Sequence, residues 1–192
     1  MTEDRVNYRG WRIKIRQQGL MIAHFAPYHP VRLRLLSPSE KMIERTWKPN
    51  VTVAALVLRD GKFLLVEEET DAGIRLNQPA GHLEQGESLL EAVIRECREE
   101  TGYDFCPKYL VGIYQSPRPN SDITYLRFAF AGEVVGYDPA RPLDSGIIAP
   151  HWLTPAALSA APDKLRSRMV LACVEDYLAG KRLPLDAITH YA

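Results

Sequence analysis

The sequence lacks the features that would mark a membrane-spanning, secreted or nucleic-acid-coating protein. Its 192 residues carry 24 basic and 24 acidic side chains, so it has none of the basic excess that nucleic acid or an anionic membrane selects. No run approaches the roughly 18 apolar residues that span a bilayer. The first residues include Glu3 and Asp4 and no apolar stretch of a secretory signal. We expect a cytoplasmic protein without a membrane partner and without a surface built to hold nucleic acid.

Cysteine is also scarce. Cys97, Cys106 and Cys173 are widely spaced and lack the C-x-x-C pattern of a zinc site or redox pair, so we expect buried free thiols. The composition that is present is ordinary for a globular protein, with 46% hydrophobic and 25% charged residues. The length suits one domain, or one domain with a short appendage.

The neutral total combines two segments of opposite charge. Residues 1–48 carry ten Lys and Arg against four Asp and Glu, and the remainder carries fourteen against twenty. We therefore predict a basic N-terminal extension over 1–47 and a main domain over 48–192. In the extension, Trp11–Arg16 and Val31–Leu35 alternate apolar and basic residues as half-buried strands do.

We expect this extension to be a solvated or poorly ordered segment. An added edge hairpin, an arm that contacts nucleic acid, and a translation start at Met42 are the alternatives.

The main domain has the pattern of a mixed α/β sandwich. Two apolar runs, Val51–Arg59 and Phe63–Glu68, flank Asp60-Gly61, the dipeptide of a tight hairpin turn. Further strands are predicted over Tyr109–Gln115, Thr124–Val135 and Ile147–Leu153. Helices are predicted over Leu89–Thr101 and Arg168–Ala179.

The first helix concentrates acidic residues on one side. Ser88 and Glu91 form a capping box, so the helix should begin at Leu89, and Gly102 is placed to end it. At about 100° per residue, three carboxylates share an arc of about 100°. These are Glu96, Glu99 and Glu100, and the apolar stripe beside them comprises Leu90, Val93, Ile94 and Cys97. A purely solvated face would lie on the opposite side of the helix.

Carboxylates this close repel one another unless a cation compensates, and Arg95 alone supplies too little charge. A hard divalent ion, Mg²⁺ or Mn²⁺, suits such oxygen ligands and usually completes its shell with phosphate oxygens and water. Just before the helix, Gln78–His82 is predicted as a turn, and Gly81 permits its backbone to approach closely. The sequence thus predicts a metal site that processes phosphates.

The same segment resembles the signature of the Nudix hydrolases. The fixed positions of that signature are filled by Gly81, Glu87, Arg95, Glu96, Glu99, Glu100 and Gly102. The flanking stretches are similar to the NudJ phosphatase branch of the family, and these are Trp47–Ala54, Asn77–Glu84, Leu126–Phe128 and Leu143–Ser145. The similarity covers about residues 48–190.

The resemblance implies a Nudix fold, with a mixed β-sheet sandwiched between helices. It implies a Mg²⁺-dependent phosphatase that acts on nucleoside tri- and diphosphates and on hydroxymethylpyrimidine pyrophosphate, an intermediate of the thiamine pathway. We expect a monomer or a homodimer. One alternative is a pyrophosphohydrolase of a linked nucleotide such as ADP-ribose. Another is a catalytically silent module that senses a nucleotide.

The resemblance also implies roles for individual residues. Glu96, Glu99 and Glu100 become candidate metal ligands, with the Gly81 carbonyl as a fourth. Arg95 is expected to orient the acids and Glu87 rather than to contact substrate, while Gly102 is structural. Glu99 is the first candidate for the water-activating base and Glu96 the second. A third is Asp144, for which simple turn formation is the alternative.

Four further residues are candidates for substrate binding. Asn77, Gln78 and Gln115 have amide groups suited to a heterocycle, with loop structuring as the alternative. Arg127 suits a phosphate, with a plain surface position as the alternative. Leu76 and Ser116 stand where the NudJ branch tends to carry aromatic residues, which predicts fewer ring faces for stacking.

Overall fold

The computed structural model describes residues 5–8, 11–16, 20–24 and 47–191, and the chain divides into two compact units, 1–47 and 48–192. The first unit contains an antiparallel sheet in the order β1-β2-β3, made of β1 (Arg5–Tyr8), β2 (Trp11–Arg16) and β3 (Leu20–His24). The predicted strand over Trp11–Arg16 is therefore present. The second alternating run, Val31–Leu35, and Met42 lie outside the described residues.

The second unit is built on a seven-stranded mixed sheet. Five strands follow the order β10-β5-β4-β9-β8, with β6 paired to β5 and β7 paired to β4. The pair β4–β9 is parallel and the others are antiparallel. The strands are β4 (Asn50–Arg59), β5 (Lys62–Glu68), β6 (Arg75–Asn77), β7 (Ala80–His82), β8 (Tyr103–Pro117), β9 (Thr124–Tyr137) and β10 (Ile147–Leu153).

Helices cover both faces of this sheet. They are α1 (Leu89–Thr101), α2 (Pro155–Ala160) and α3 (Arg168–Leu178), with 3-10 turns at Pro162–Lys164 and Leu185–Ala187. Along β4, Val53, Ala55 and Val57 pack in the cluster that contains α1 residues, whereas Leu56 packs in the cluster with α3 residues. Successive side chains of a strand point to opposite faces of the sheet, so α1 and α3 cover opposite faces. The predicted α/β/α sandwich is confirmed.

The three cysteines are free, as predicted, and two of them, Cys97 and Cys173, are buried. Among the described residues, no helix has the length and apolar character needed to cross a membrane.

The structure extends and corrects several predicted elements. The Asp60-Gly61 hairpin is confirmed, with φ of 51° and 72° at its two turn residues. β8 begins at Tyr103 rather than at 109, because a bulged ladder with β9 continues to Tyr137. The prediction of a turn over 78–82 was wrong for 80–82, which form β7 by pairing with β4. Short strands of this kind depend on a distant partner and leave little local signal.

Helix α1 has the predicted bounds and caps. The Ser88 Oγ accepts from the Glu91 N–H at 3.2 Å, and the Ser88 N–H donates to the Glu91 carboxylate at 2.8 Å. Gly102 ends the helix at φ 72°. The buried face is Ala92, Val93, Glu96, Cys97, Glu100 and Thr101, so it includes two glutamates and is rotated away from the half-buried Leu90 and Ile94. The acidic arc therefore faces the protein.

Removal of the helix cap should weaken the main domain measurably. Ser88→Ala deletes the acceptor for the first-turn N–H, and we expect a loss of roughly 1 kcal/mol in the free energy of unfolding. Denaturant unfolding measures this loss. The control is Ser159→Ala, an exposed serine inside α2. Equal stability of Ser88→Ala and the unaltered chain would show that the cap contributes nothing.

Candidate active site

The acidic face of α1 lies directly against β7. The Ala80 N–H donates to the Glu100 carboxylate at 2.8 Å. At the next residue, any Cβ added to Gly81 would overlap the Glu96 carboxylate. The predicted close approach at Gly81 is confirmed, because only glycine leaves room for Glu96 here. β7 thereby supplies both a backbone donor and a carbonyl edge to the helix.

Arg95 joins the acidic groups into one network. Its guanidinium donates to both oxygens of Glu87, at 2.6 and 3.0 Å, and so forms a bidentate pair. It also donates to Glu96 at 2.8 Å, to Glu99 at 3.1 Å, and to the His82 carbonyl at 3.0 Å. The loop before α1, the helix and β7 are thus connected through one side chain.

Burial shifts the pKa values of the helix acids, and the positive charge of Arg95 offsets this shift only in part. Burial raises the pKa of Glu100 to about 9, despite the hydrogen bond from Ala80. Burial also raises the pKa of Glu96, although the Arg95 guanidinium partly offsets that rise. The hydrogen bond from Arg95 lowers the pKa of Glu87, which is therefore firmly ionised. Arg95 satisfies Glu87 fully and the helix acids only in part.

Asp144 lies beside the same face. Its N–H donates to the Glu99 carbonyl at 3.1 Å, which attaches the loop before β10 to the end of α1. Its charge contributes to the raised pKa values of Glu96 and Glu100. Its carbonyl also accepts from the Ile147 N–H at 3.0 Å. Asp144 therefore forms a turn and stands near the acids at once.

The donor set suits a hard divalent cation. Within residues 47–191, no three His, Cys, Asp or Glu side chains already converge into a cage. The reason is visible in the contacts, because Arg95 holds oxygens of Glu96 and Glu99 while Ala80 holds Glu100. Carboxylate oxygens, a nearby backbone carbonyl and an excess of negative charge are what Mg²⁺ or Mn²⁺ sites require.

A cavity of about 460 Å³ opens beside β7. Its wall includes Gly81 and His82, so it begins where the acidic face ends. It is also lined by four arginines, namely Arg75, Arg118, Arg127 and Arg166. A cavity rich in guanidinium groups next to clustered carboxylates suits a polyphosphate that carries a bound cation.

The predicted substrate-binding residues have different positions. Asn77 is buried and lines the cavity, as does Arg127, so the surface alternative for Arg127 was wrong. Gln78 is buried, but its amide donates to the Val170 carbonyl at 2.8 Å and accepts from Arg127 at 3.3 Å. Gln115 is exposed on β8 and lies outside the set of described residues that line the cavity, whereas its neighbour Ser116 belongs to it.

The cavity has an aromatic face at a position other than the two, 76 and 116, at which the NudJ branch tends to carry aromatic residues. Leu76 packs against the hydrophobic core rather than in the cavity. Tyr125, which pairs with Ser116 across β8 and β9, lines the cavity, and its ring centroid lies 6.4 Å from that of His82. Sequence reasoning also missed Thr52 and Glu68 on the wall. The only hint for Glu68 was an acid at the end of an apolar strand.

The fold and the site together define a hydrolase of phosphoric anhydride bonds. A model of the Nudix domain matches residues 48–172, and the chain belongs to the Nudix family. Phosphatase NudJ from Escherichia coli K12 and from Shigella flexneri is 41% identical over 142 residues, which is 74% of this chain and 92% of each relative. A Nudix hydrolase from Nitrosomonas europaea is 50% identical with a TM-score of 0.73, covering 75% of this chain and 98% of its own.

A more distant structure, the Nudix domain of Shewanella oneidensis NrtR complexed with ADP ribose, shares the fold at 15% identity and a TM-score of 0.57, covering 76% of this chain and 99% of its own. Members of the family generally use divalent metal ions and act on small nucleotide-type substrates. Membership of this family and the similarity to Phosphatase NudJ indicate a hydrolase rather than the alternative of a silent sensor.

The buried Glu100 should make the metal-free protein less stable as the pH rises. Its pKa is about 9 in the folded state against 4.5 for the free group, so the folded state holds the extra proton between these values. The free energy of unfolding therefore falls across that window. Glu100→Gln removes this dependence, and we expect its melting temperature in chelator to exceed that of the unaltered chain by a margin that grows from pH 5 to pH 9.

The matched control for this measurement is Glu84→Gln, an exposed acid just before the helix. Its margin over the unaltered chain should stay flat with pH. A flat margin for Glu100→Gln as well would show that Glu100 titrates as an ordinary exposed carboxylate.

Proposed function

We propose that this chain is a Mg²⁺-dependent hydrolase that removes phosphate from nucleoside tri- and diphosphates and from pyrimidine pyrophosphates such as hydroxymethylpyrimidine pyrophosphate. One observation carries the proposal: the acidic face of α1 and the arginine-lined cavity meet at Gly81. The similarity to Phosphatase NudJ over most of both chains supports the phosphatase reaction.

The metal would be held by Glu96, Glu99 and Glu100, with the Gly81 carbonyl as a further ligand. All are oxygen donors, which is the preference of Mg²⁺, and Mn²⁺ accepts the same set. A bound cation of this kind reduces the negative charge that a phosphate presents to water and stabilises the leaving oxygen. Arg95 acts as a positioning residue, because its donors fix Glu96 and Glu99.

The chain's own residues divide the remaining work. The more exposed arginines of the cavity wall, Arg75, Arg118 and Arg166, bind phosphate oxygens, since planar guanidinium groups match them in geometry and charge. Glu99 holds and deprotonates the attacking water. Its side chain is 37% exposed against 9% for Glu96, so water reaches Glu99 more easily. Glu96 and Asp144 are the next candidates for this base.

Glu99→Gln should reduce turnover strongly and leave the fold intact. The amide can neither accept the proton of the attacking water nor bind the cation as a carboxylate does, so we expect kcat to fall by about 10² to 10⁴. Phosphate release under saturating nucleotide measures the change, and thermal unfolding checks the fold. Glu175→Gln, on the exposed side of α3, is the control and should keep full turnover. Near-normal activity of Glu99→Gln would show that another acid is the base.

Turnover should depend on a divalent ion and release phosphate. A panel of nucleoside tri- and diphosphates, hydroxymethylpyrimidine pyrophosphate and ADP-ribose is incubated with the full chain, and phosphate, pyrophosphate and nucleoside monophosphate are quantified. We expect phosphate from the first three classes, complete loss of activity in excess chelator, and recovery with Mg²⁺. Activity that persists in chelator would contradict the metal site. Cleavage of ADP-ribose alone would favour a linked-nucleotide pyrophosphohydrolase.

A further inference from the structure

Three buried polar atoms point to a second recognition element inside the cavity. Among the residues that the structure describes, the Thr52 Oγ1, the Glu68 Oε1 and the Arg127 Nε are the buried side-chain atoms without a hydrogen-bond partner. All three residues line the same cavity. An unpaired buried polar atom is costly and therefore rare in folded proteins. Three on one wall indicate that a polar ligand completes them.

The three groups share one cavity wall, and two of them are neighbours in the sheet. Thr52 and Arg127 are register partners on the parallel strands β4 and β9. Burial raises the pKa of Glu68, and the charges of Arg166 and, to a smaller extent, Arg127 act in the opposite direction. Arg166, 3.9 Å from the other Glu68 oxygen, thus favours the ionised carboxylate. Arg127 itself is 5% exposed, and no described residue forms an ion pair with it.

The pattern of donors and acceptors restricts the ligand. An ionised Glu68 oxygen accepts a hydrogen bond, the Arg127 Nε–H donates one, and the Thr52 hydroxyl does either. A matching ligand edge offers an N–H next to an acceptor. The amino group and adjacent ring nitrogen of a cytosine-type or adenine-type ring have this order. An oxo ring held in the same orientation places a carbonyl oxygen, rather than an N–H, against the carboxylate.

We propose that Glu68, supported by Arg127 and Thr52, is a specificity-determining residue that selects substrates whose ring carries an exocyclic amino group beside a ring nitrogen. This selection deepens the proposed function and rests on it, since the cavity must receive the ring of the phosphate substrate. Tyr125 and His82 offer a ring face on the same wall.

Binding of nucleoside monophosphates to the full chain tests the selection without turnover. Titration calorimetry compares CMP with UMP, and AMP with IMP, which differ in the amino or oxo group. Because hydrogen bonds to charged groups are strong, we expect the amino member of each pair to bind at least about tenfold more tightly. Equal binding within both pairs would overturn the proposal.

Variants assign the effect to the carboxylate. In Glu68→Gln the amide both donates and accepts, so the two members of each pair should bind within about threefold of each other. Glu68→Asp retains the charge and should retain the preference. Glu67→Gln is the matched control, since Glu67 is on the opposite face of β5 beside His151, and it should keep the unaltered ratio.

A tenfold preference that survives in a folded Glu68→Gln variant would overturn the proposal, and so would its loss in Glu68→Asp. Phosphate release from inorganic tripolyphosphate and from the nucleotide panel separates this result from the proposed function. Hydrolysis without ring selection defeats the inference about Glu68 alone. Absence of hydrolysis from every substrate defeats the proposed function.

Discussion

The geometry of the acidic site depends on the hydrogen bonds of one guanidinium. Arg95 donates to Glu87 before α1, to Glu96 and Glu99 on it, and to the His82 carbonyl on β7. A planar fork with five donors can satisfy partners on three sides at once, whereas a lysine ammonium is a single point charge. Because these partners come from a loop, a helix and a strand, Arg95 fixes where the carboxylates stand relative to Gly81.

The same arrangement lowers the stability of the folded state. α1 turns Glu96 and Glu100 toward β7, and burial favours their protonated forms. Ala92, Val93 and Cys97, fully buried on the same face, supply the apolar packing that keeps the helix in place. The helix thus holds carboxylates that lack enough compensating positive charge within an otherwise well-packed interface. Their repulsion is what a divalent cation relieves, so stability and cation affinity are linked in this segment.

How far the sequence predicts this protein depends on whether a signal is local. The Asp60-Gly61 turn and the bounds of α1 were predicted correctly, because turn and cap chemistry lies within a few adjacent residues. The strand β7 and the burial of Arg127 were missed, because both depend on partners far along the chain. Gln115 lies outside the cavity lining, because side chains alternate along β8 and Ser116 is the residue that reaches the cavity.

Local charge decides the ligand here more than total charge does. Residues 49–192 carry fourteen basic against twenty acidic side chains, which by itself would repel a polyphosphate. At physiological ionic strength, however, exposed charges are screened over about 8 Å. A phosphate inside the cavity therefore responds chiefly to the arginines on its wall, and to a cation held by the neighbouring acids. The balanced composition of the chain excludes a broad basic surface. It leaves room for a cavity with four arginines against two acids, Glu68 and Asp71, next to a helix with four glutamates against two arginines. That contrast, within one site, is what a metal-bound phosphoanhydride complements.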